Sequence, residues 1–237
     1  MNERFAVDVI GQDKVGSYRA DKPVSKVLVA DDHESVRNGV RELIKTERAF
    51  EVCGEATDGR EAVEKARQLK PDIVVIDVSM PELNGIEATR QIVKDDASAE
   101  VLVLTVYESE QIVDEILNAG ARGYLLKSDV AYDLLFAIAS LSQHRPFFTS
   151  KVASMVLQGY LENSARSGGC NVSALTSRER EVVQLLAEGK SNKEVAVIQG
   201  IEVKTAETHR ANLMRKLGLH SVCDLVHYAV RNQIIEA

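Results

Sequence analysis

The chain has 237 residues, of which 45% are apolar and 27% charged, and its formal net charge is −7. This composition is that of an ordinary globular protein, and the length leaves room for two domains. No apolar run approaches the ~18 to 20 residues that a membrane helix needs. The three cysteines are far apart and form no Cys-x-x-Cys pair, which argues against a disulfide framework and a zinc site.

The charge is divided unevenly along the chain. Residues 175–237 contain nine basic and eight acidic side chains, whereas the first 174 residues contain 20 basic and 28 acidic ones. The acidity therefore belongs to the first part, and a near-neutral second part can still present a local basic face to nucleic acid.

The N-terminal residues, 1–25, lack the uninterrupted apolar segment of a secretory signal. We expect them to form a flexible tail of a cytoplasmic protein that makes no membrane contact.

From residue 26 onward, short β-rich runs alternate with longer amphipathic runs. The predicted strands are residues 26–30, 50–56, 73–77, 100–106 and 121–126. Apolar residues recur at helical spacing between them, and a last helix covers residues 130–143. Five strand-helix repeats predict an α/β doubly wound domain over residues 26–145, with a five-stranded parallel sheet in the flavodoxin-like order 2-1-3-4-5.

Beyond residue 145 the pattern changes. Residues 146–174 are predicted to form a linker with one helix, 152–161, followed by small polar residues. The remaining residues, 175–237, predict a small all-α domain with helices at 177–188, 192–199, 203–217 and 222–232. Three of these helices begin with a capping box, namely Thr176 with Glu179, Ser191 with Glu194 and Ser221 with Asp224.

Four of the predicted strands end in polar residues, where the ligands of such sheets bind. These residues are Asp31 and Asp32, Asp77, Thr105 and Lys127. Three converging carboxylates repel one another unless a hard cation joins them, and Mg²⁺ suits such a site. A lysine and a threonine hydroxyl beside them could hold a phosphoryl group, with Asp77 as the nucleophile of aspartyl-phosphate chemistry.

The sequence around these residues resembles the receiver domain of bacterial two-component response regulators. The matching stretches are VLVADDH at 27–33, IVVIDVSMP at 73–81, Asn84-Gly85 and GARGYLLK at 120–127. The resemblance implies that Asp77 accepts a phosphoryl group from a sensor histidine kinase. It also implies that Mg²⁺ is bound by Asp32 directly, by Asp31 through water and by the Ser79 carbonyl. Lys127 and Thr105 would contact the phosphoryl oxygens. Thr105 and the aromatic Tyr124 would be the switch residues.

The predicted helix at 203–217 has two faces. Ala206, Leu213 and Leu217 share one, and the opposite face is a polar stripe that can enter a major groove, formed by Lys204, Glu207, Thr208, Ala211 and Arg215. With the preceding short helix and the turn at Gly200, it forms a helix-turn-helix arrangement.

Residues 175–217 resemble a LuxR-type DNA-binding domain, and the two halves together resemble response regulators of the NarL/FixJ type. The resemblance implies that bases are read by Lys204, Glu207 and Thr208, and that phosphates are contacted by Asn192, Lys193, Thr205, Asn212, Arg215 and Lys216. It also implies a homodimer on a pseudo-palindromic double-stranded site, formed through Val222, Leu225, Val226 and Ala229 of the last helix.

Three positions depart from the LuxR-type pattern: Gln199 replaces the usual Leu, Glu202 replaces Ser or Thr, and Ala206 replaces Val. We expect a transcriptional response regulator, not an enzyme, in which phosphorylation frees the second domain and promotes dimerisation on DNA. The main alternative is a regulator whose helix-turn-helix acts by protein-protein contact. A phosphohydrolase is a third hypothesis, but Ser79 stands where phosphatases of the haloacid-dehalogenase kind have a second Asp.

Overall fold

The computed structural model describes residues 24–107, 109–149, 152–154 and 175–235. Five parallel strands form one sheet in the order β2-β1-β3-β4-β5, as predicted. Their bounds are β1 Ser25–Ala30, β2 Phe50–Ala56, β3 Ile73–Asp77, β4 Glu100–Thr105 and β5 Gly123–Leu126. The central strands β1, β3 and β4 are rich in Val, Ile and Leu because both faces of the sheet are covered by helices.

In the described part of this domain, four helices connect the strands, and a short 3₁₀ turn and a fifth helix follow β5. They are α1 Glu34–Lys45, α2 Gly59–Leu69, α3 Gly85–Asp95, α4 Glu110–Asn118, the 3₁₀ turn Lys127–Asp129 and α5 Val130–Leu141. Apolar side chains of α1 and α5 pack on one face of the sheet, and those of α2, α3 and α4 pack on the other. The strand-helix alternation therefore gives the doubly wound architecture.

The chain beyond α5 continues to pack on this domain. The Phe147 N–H donates to the Arg122 carbonyl (2.9 Å), and the Tyr124 N–H donates to the Phe147 carbonyl (3.0 Å), so Phe147 lies along β5. The structure thus packs the first residues of the predicted linker against the sheet. Residues 152–154 are helical, and the rest of the predicted linker helix, the small polar stretch and residues 1–23 of the tail lie outside the described residues.

Residues 175–235 form the second, all-helical domain. Its helices are α6 Ser177–Ala187, α7 Asn192–Gln199, α8 Val203–Leu217 and α9 Val222–Arg231, and the three predicted capping boxes are present. Gly200 ends α7 in the left-handed conformation, with φ of 63°, which glycine adopts without steric cost. None of the helices in the described parts of the chain is long and apolar enough to cross a membrane.

Candidate functional site

The structure brings three of the predicted polar residues together at the carboxyl edge of the sheet. Asp31 follows β1, Asp77 ends β3, and both are almost fully buried, with 1% and 2% exposure. Lys127 follows β5, and its Nζ lies 2.9 Å from a carboxylate oxygen of each aspartate. The parallel topology produces this arrangement, because the carboxyl ends of neighbouring strands meet at one edge.

In the acid pocket, as we call the group of Asp31, Asp77 and Lys127, burial and charge shift the pKa values in opposite directions. Burial raises the pKa of Asp77 to about 6, although the ion pair with Lys127 opposes the shift. Burial alone would lower the pKa of Lys127, but its contacts with Asp31 and Asp77 outweigh burial and raise it. The pocket therefore favours a cationic lysine and carries more carboxylates than one ammonium can neutralise.

The donor set of the pocket fits Mg²⁺. Ligand atoms of Asp31, Asp32 and His33 lie within 4.8 Å of one another. Among the described residues, the Lys127 ammonium, 2.9 Å from both, is the one polar partner of the buried Oδ2 atoms of Asp31 and Asp77. Oxygen ligands with free lone pairs are those that Mg²⁺ prefers.

His33 and the loop after Asp77 complete the surroundings of the pocket. The backbone N–H of His33 donates to Oδ1 of Asp31 (2.8 Å). The Nδ1 atom of the His33 ring lies 2.7 Å from Oδ1 of Asp32. This histidine was not predicted as a site residue, and its signal in the sequence is its position directly after the two aspartates. Half-buried Ser79 lines a cavity together with Asp32, and Gly85 lies so close to the Asp77 carbonyl that a Cβ there would be 1.8 Å from it.

The two predicted switch residues are linked through the backbone of Tyr107. Thr105 is fully buried, and its hydroxyl oxygen accepts a hydrogen bond from the Tyr107 N–H (3.0 Å). Tyr124 is also buried, and its hydroxyl donates to the Tyr107 carbonyl. Thr105 and Tyr124 therefore share one peptide segment, a link that their sequence separation conceals.

In the second domain, α8 keeps its polar stripe open to solvent. Lys204, Glu207 and Thr208 are exposed, whereas Ala206 and Leu213 are buried in the domain core. The predicted phosphate-contacting residues are Asn192, Lys193, Thr205, Asn212, Arg215 and Lys216. Asn192 is half-buried, and the others are exposed. This face is available for a ligand while the two domains are in contact.

Several of these side chains have local partners. The Lys216 Nζ lies 2.7 Å from Glu179, and Arg215 donates to Asn212 (2.8 Å). The Thr208 hydroxyl donates to the Lys204 carbonyl (2.9 Å). Binding to DNA would have to exchange such contacts for phosphate or base contacts.

The three departures from the LuxR-type pattern have different structural consequences. Gln199 is 8% exposed, and neither atom of its side-chain amide has a hydrogen-bond partner in the described part of the chain. Glu202 is the N-cap of α8, and its side chain accepts no capping hydrogen bond. Ala206 is 1% exposed and packs in the core. Gln199 is thus the departure with a clear energetic penalty.

The structure corrects the predicted dimerisation surface of α9. Leu225 and Ala229 are 1% and 0% exposed and belong to the core of their own domain, so they cannot contact a second copy without unfolding that core. Val222 is 46% exposed and Val226 is half-buried. The outward side of α9 therefore retains only the two valines of the predicted set.

An inter-domain contact that the sequence analysis missed lies on α6. Arg180 forms a two-pronged ion pair with Glu115 of α4 (2.8 and 2.9 Å) and lies 3.6 Å from Glu87 of α3. Glu181, only 4% exposed, lies 3.4 Å from Arg60 of α2. The sequence signal is a run of charged residues on a helix whose other face is apolar, which is equally typical of a solvated surface.

The acid pocket, the parallel sheet and the open helix-turn-helix define a regulator made of an input domain and an output domain. Residues 27–139 match the family described as the response regulator receiver domain, and residues 173–229 match bacterial regulatory proteins of the luxR family. The chain belongs to the two-component response regulators that join a receiver to a LuxR-type DNA-binding domain. The predicted family and fold are thus confirmed.

Individual relatives agree with this assignment over nearly their whole length. The transcriptional regulatory protein LiaR of Bacillus subtilis is 38% identical over 213 residues, which cover 89% of this chain and 99% of LiaR. The response regulator protein VraR of Staphylococcus aureus is 36% identical over 211 residues, with the same coverage. RcsB from Salmonella enterica serovar Typhimurium, solved bound to promoter rprA in the presence of the phosphomimetic BeF3−, is 26% identical with a TM-score of 0.58 and matches 86% of this chain and 97% of that one.

Proposed function

We propose that Asp77 accepts a phosphoryl group from the phosphohistidine of a sensor kinase in the cytoplasm, and that this modification controls binding of the second domain to DNA. The observation that carries the proposal is the buried group of Asp31, Asp77 and Lys127, with the ammonium 2.9 Å from both carboxylates. A structural ion pair needs only one carboxylate per lysine. A second, buried carboxylate at a strand end is suited to chemistry.

The residues of the pocket divide the work of the transfer. An oxygen of Asp77 attacks phosphorus, the bond between phosphorus and the kinase histidine breaks, and the released imidazole takes a proton from solvent. Lys127 stabilises the negative charge on the phosphoryl oxygens. Mg²⁺, when bound, would be held by Asp31, Asp32, Asp77 and the Ser79 carbonyl, and would neutralise charge on the transferred group.

Mass measurement of the intact protein tests the acceptor site. Incubation with a small acyl phosphate and Mg²⁺ should add the mass of one phosphoryl group to the wild-type chain and none to Asp77→Asn. A wild-type chain that gains no phosphoryl group, or an Asp77→Asn variant that gains one, would contradict the assignment. The protein takes up the group once and changes state, so we class it as a transcriptional regulator and not as an enzyme.

The exposed stripe of α8 supports DNA as the ligand of the second domain. Its three predicted base-reading side chains, Lys204, Glu207 and Thr208, project from a helix whose opposite face is packed in the core. Two copies joined through Val222 and Val226 would place two such helices on half-sites about one helical turn, ~10 bp, apart. The site would then be a pseudo-palindromic duplex.

The alternative in which the helix-turn-helix acts only through protein contacts has one observation in its favour. The buried amide of Gln199, without a hydrogen-bond partner in the described residues, marks a weakened turn at the entry to α8. Binding of the full chain to a selected duplex distinguishes the two functions. Binding that Lys204→Ala weakens more on the selected duplex than on a random one supports sequence reading, and absence of binding to any duplex supports the alternative.

A further inference from the structure

Cys223 and His227 lie on the side of α9 that faces away from the core of its own domain. Both side chains are exposed, and Cys223 is a free thiol. Each precedes a core residue by two positions, Leu225 and Ala229, which are 1% and 0% exposed. Two positions turn about 200° around an α-helix, so the thiol and the imidazole point away from the core. They are also one turn apart, at i and i+4, where the side chains of a helix are neighbours.

Unlike the polar stripe of α8, the outward side of α9 carries almost no formal charge. Val222 is 46% exposed, and Val226 and Val230 are half-buried. The segment between these valines contains one formally charged side chain, Asp224. Its carboxylate accepts the Ser221 N–H (2.9 Å) in the capping box and is thus already engaged. Because the centres of interfaces are depleted of charged residues, this side of α9 is suited to being covered.

A thiolate and an imidazole are typical protein ligands of Zn²⁺. Structural zinc sites hold the ion with four such ligands in a tetrahedron, and one α9 supplies two. A second copy of the chain, related by a two-fold axis, presents the same two side chains. Two thiolates neutralise the charge of the ion, and the nearly uncharged side of α9 does not repel its own copy. The occupant that completes the site is therefore a second α9.

We propose that Cys223 and His227 of two copies bind one Zn²⁺ ion across the two-fold axis of an α9–α9 dimer. Two Zn–S and two Zn–N bonds form, and the two thiol protons pass to solvent. The inference rests on the proposed function, which joins two copies through Val222 and Val226 of the same helix. It adds a metal-dependent contact to that pairing, at a site separate from the acid pocket.

Sedimentation analysis of the full chain, without DNA and without a phosphodonor, tests the zinc-dependent dimer. The buffer contains a phosphine to keep the thiols reduced and an excess of Mg²⁺ to fill the acid pocket. Addition of Zn²⁺ should tighten self-association by roughly tenfold or more, with about one ion bound per two chains. A chelator should reverse the effect.

The variants Cys223→Ser and His227→Gln should remove this response to Zn²⁺. Both positions are exposed, so the variants should keep their fold, which circular dichroism checks. The matched controls are Cys53→Ser, at the half-buried thiol of β2, and His220→Gln, at an exposed histidine just before α9. Both controls should respond to Zn²⁺ as the wild type does.

The absorption spectrum with Co²⁺ in place of Zn²⁺ identifies the ligands. The wild type should show a thiolate-to-cobalt charge-transfer band and the strong visible bands of a tetrahedral site, and Cys223→Ser should lack the charge-transfer band. Zinc binding at one ion per chain without a change in mass, self-association that either variant retains, or no binding at all would overturn the proposal.

The two proposals fail separately. The zinc measurements use neither DNA nor a phosphodonor, so they decide the zinc site even if Asp77 takes up no phosphoryl group. Conversely, a chain that is phosphorylated at Asp77 and binds its duplex as a dimer, yet associates equally with Zn²⁺ and with a chelator, would overturn the zinc site and leave the proposed function intact.

Discussion

The receiver and the DNA-binding domain place their functional side chains in opposite environments. In the receiver, Asp31, Asp77 and Thr105 are all at most 2% exposed, and their charges or hydroxyls are held inside the fold. In the second domain, Lys204 and Glu207 project from the surface of α8. Desolvated charges reduce folding stability, whereas solvated ones hardly affect it. Substitutions of functional residues should therefore change both activity and folding stability in the first domain. In the second domain they should change DNA binding and leave stability nearly unchanged.

The largest stability effect is expected at Asp77. Its pKa is raised from 3.8 to about 6, so the folded state binds the proton more tightly than the unfolded state. Stability is then greatest below the ordinary pKa and falls as the pH rises through about 6. Near pH 7.5, without divalent cations, Asp77→Asn should raise the free energy of unfolding of the receiver by about 1 to 3 kcal/mol. Urea unfolding measures the difference.

The control for this prediction is Asp114→Asn, on the exposed side of α4, which should leave stability nearly unchanged. The advantage of Asp77→Asn should shrink as the pH is lowered toward about 5, since the wild-type carboxyl then becomes neutral. Mg²⁺ should stabilise the wild type more than the variant. If the difference in the free energy of unfolding between wild type and Asp77→Asn does not depend on pH, burial of the Asp77 charge is not its cause.

In the second domain, Lys204→Ala should change binding and not stability. The side chain is exposed, so the free energy of unfolding should move by less than about 0.5 kcal/mol. Binding to the cognate duplex should weaken by roughly 1 to 3 kcal/mol if Lys204 reads a guanine. Lys94→Ala, an exposed lysine of α3, is the matched control for DNA titrations. An equal loss on random and cognate duplexes would make Lys204 a phosphate contact.

Gln199 is the exception in the second domain, because it is a buried polar residue without a functional contact. Gln199→Leu should stabilise this domain by about 1 to 2 kcal/mol, since the unpaired amide no longer has to be desolvated. Hydrogen exchange of α6 to α9 in the full chain under increasing urea measures the change. Gln68→Leu, at an exposed position, supplies the comparison. A destabilised Gln199→Leu variant would mean that the amide has a partner that is essential to the fold.

The smallest overall effect is expected at Glu202. A serine there adds a capping hydrogen bond, worth about 1 kcal/mol, and removes a favourable charge at the helix N-terminus, worth ~0.3 to 1 kcal/mol. Glu202→Ser should therefore change stability little but tighten binding to all duplexes, chiefly at low salt. Glu202→Gln, which removes the charge without adding a cap, should tighten binding similarly. Weaker binding of Glu202→Ser to the cognate duplex alone would mean that Glu202 reads a cytosine.

Much of the fold could be predicted because its signals are local. Alternating strand and helix patterns gave the sheet order, and the capping boxes marked the starts of α6, α7 and α9. The acid pocket followed from one topological rule, that the carboxyl ends of parallel strands share an edge. Asp31, Asp77 and Lys127 could thus be grouped although 96 residues separate the first from the last.

The contacts that were not predicted depend on how separate elements pack. The sequence pattern places Gln184 on an amphipathic helix, where a solvated side chain is expected. Only the packing of the two domains brings it to the Met80 carbonyl and the Asn84 N–H. Leu225 and Ala229 share a periodicity with Val222 and Val226, and the pattern alone does not say which pair faces the core. The Thr105–Tyr107–Tyr124 link depends on a backbone position, which side-chain identity does not encode.

In the proposed function, the state of Asp77 controls DNA binding by the other domain. The most direct test is the affinity of the full-length chain for its selected duplex, with and without acetyl phosphate and Mg²⁺, at one fixed salt concentration. We predict that phosphorylation tightens binding by roughly 5- to 150-fold, the usual range of such couplings, and that Asp77→Asn shows no response. Equal affinities of the phosphorylated and unphosphorylated wild type would contradict the account.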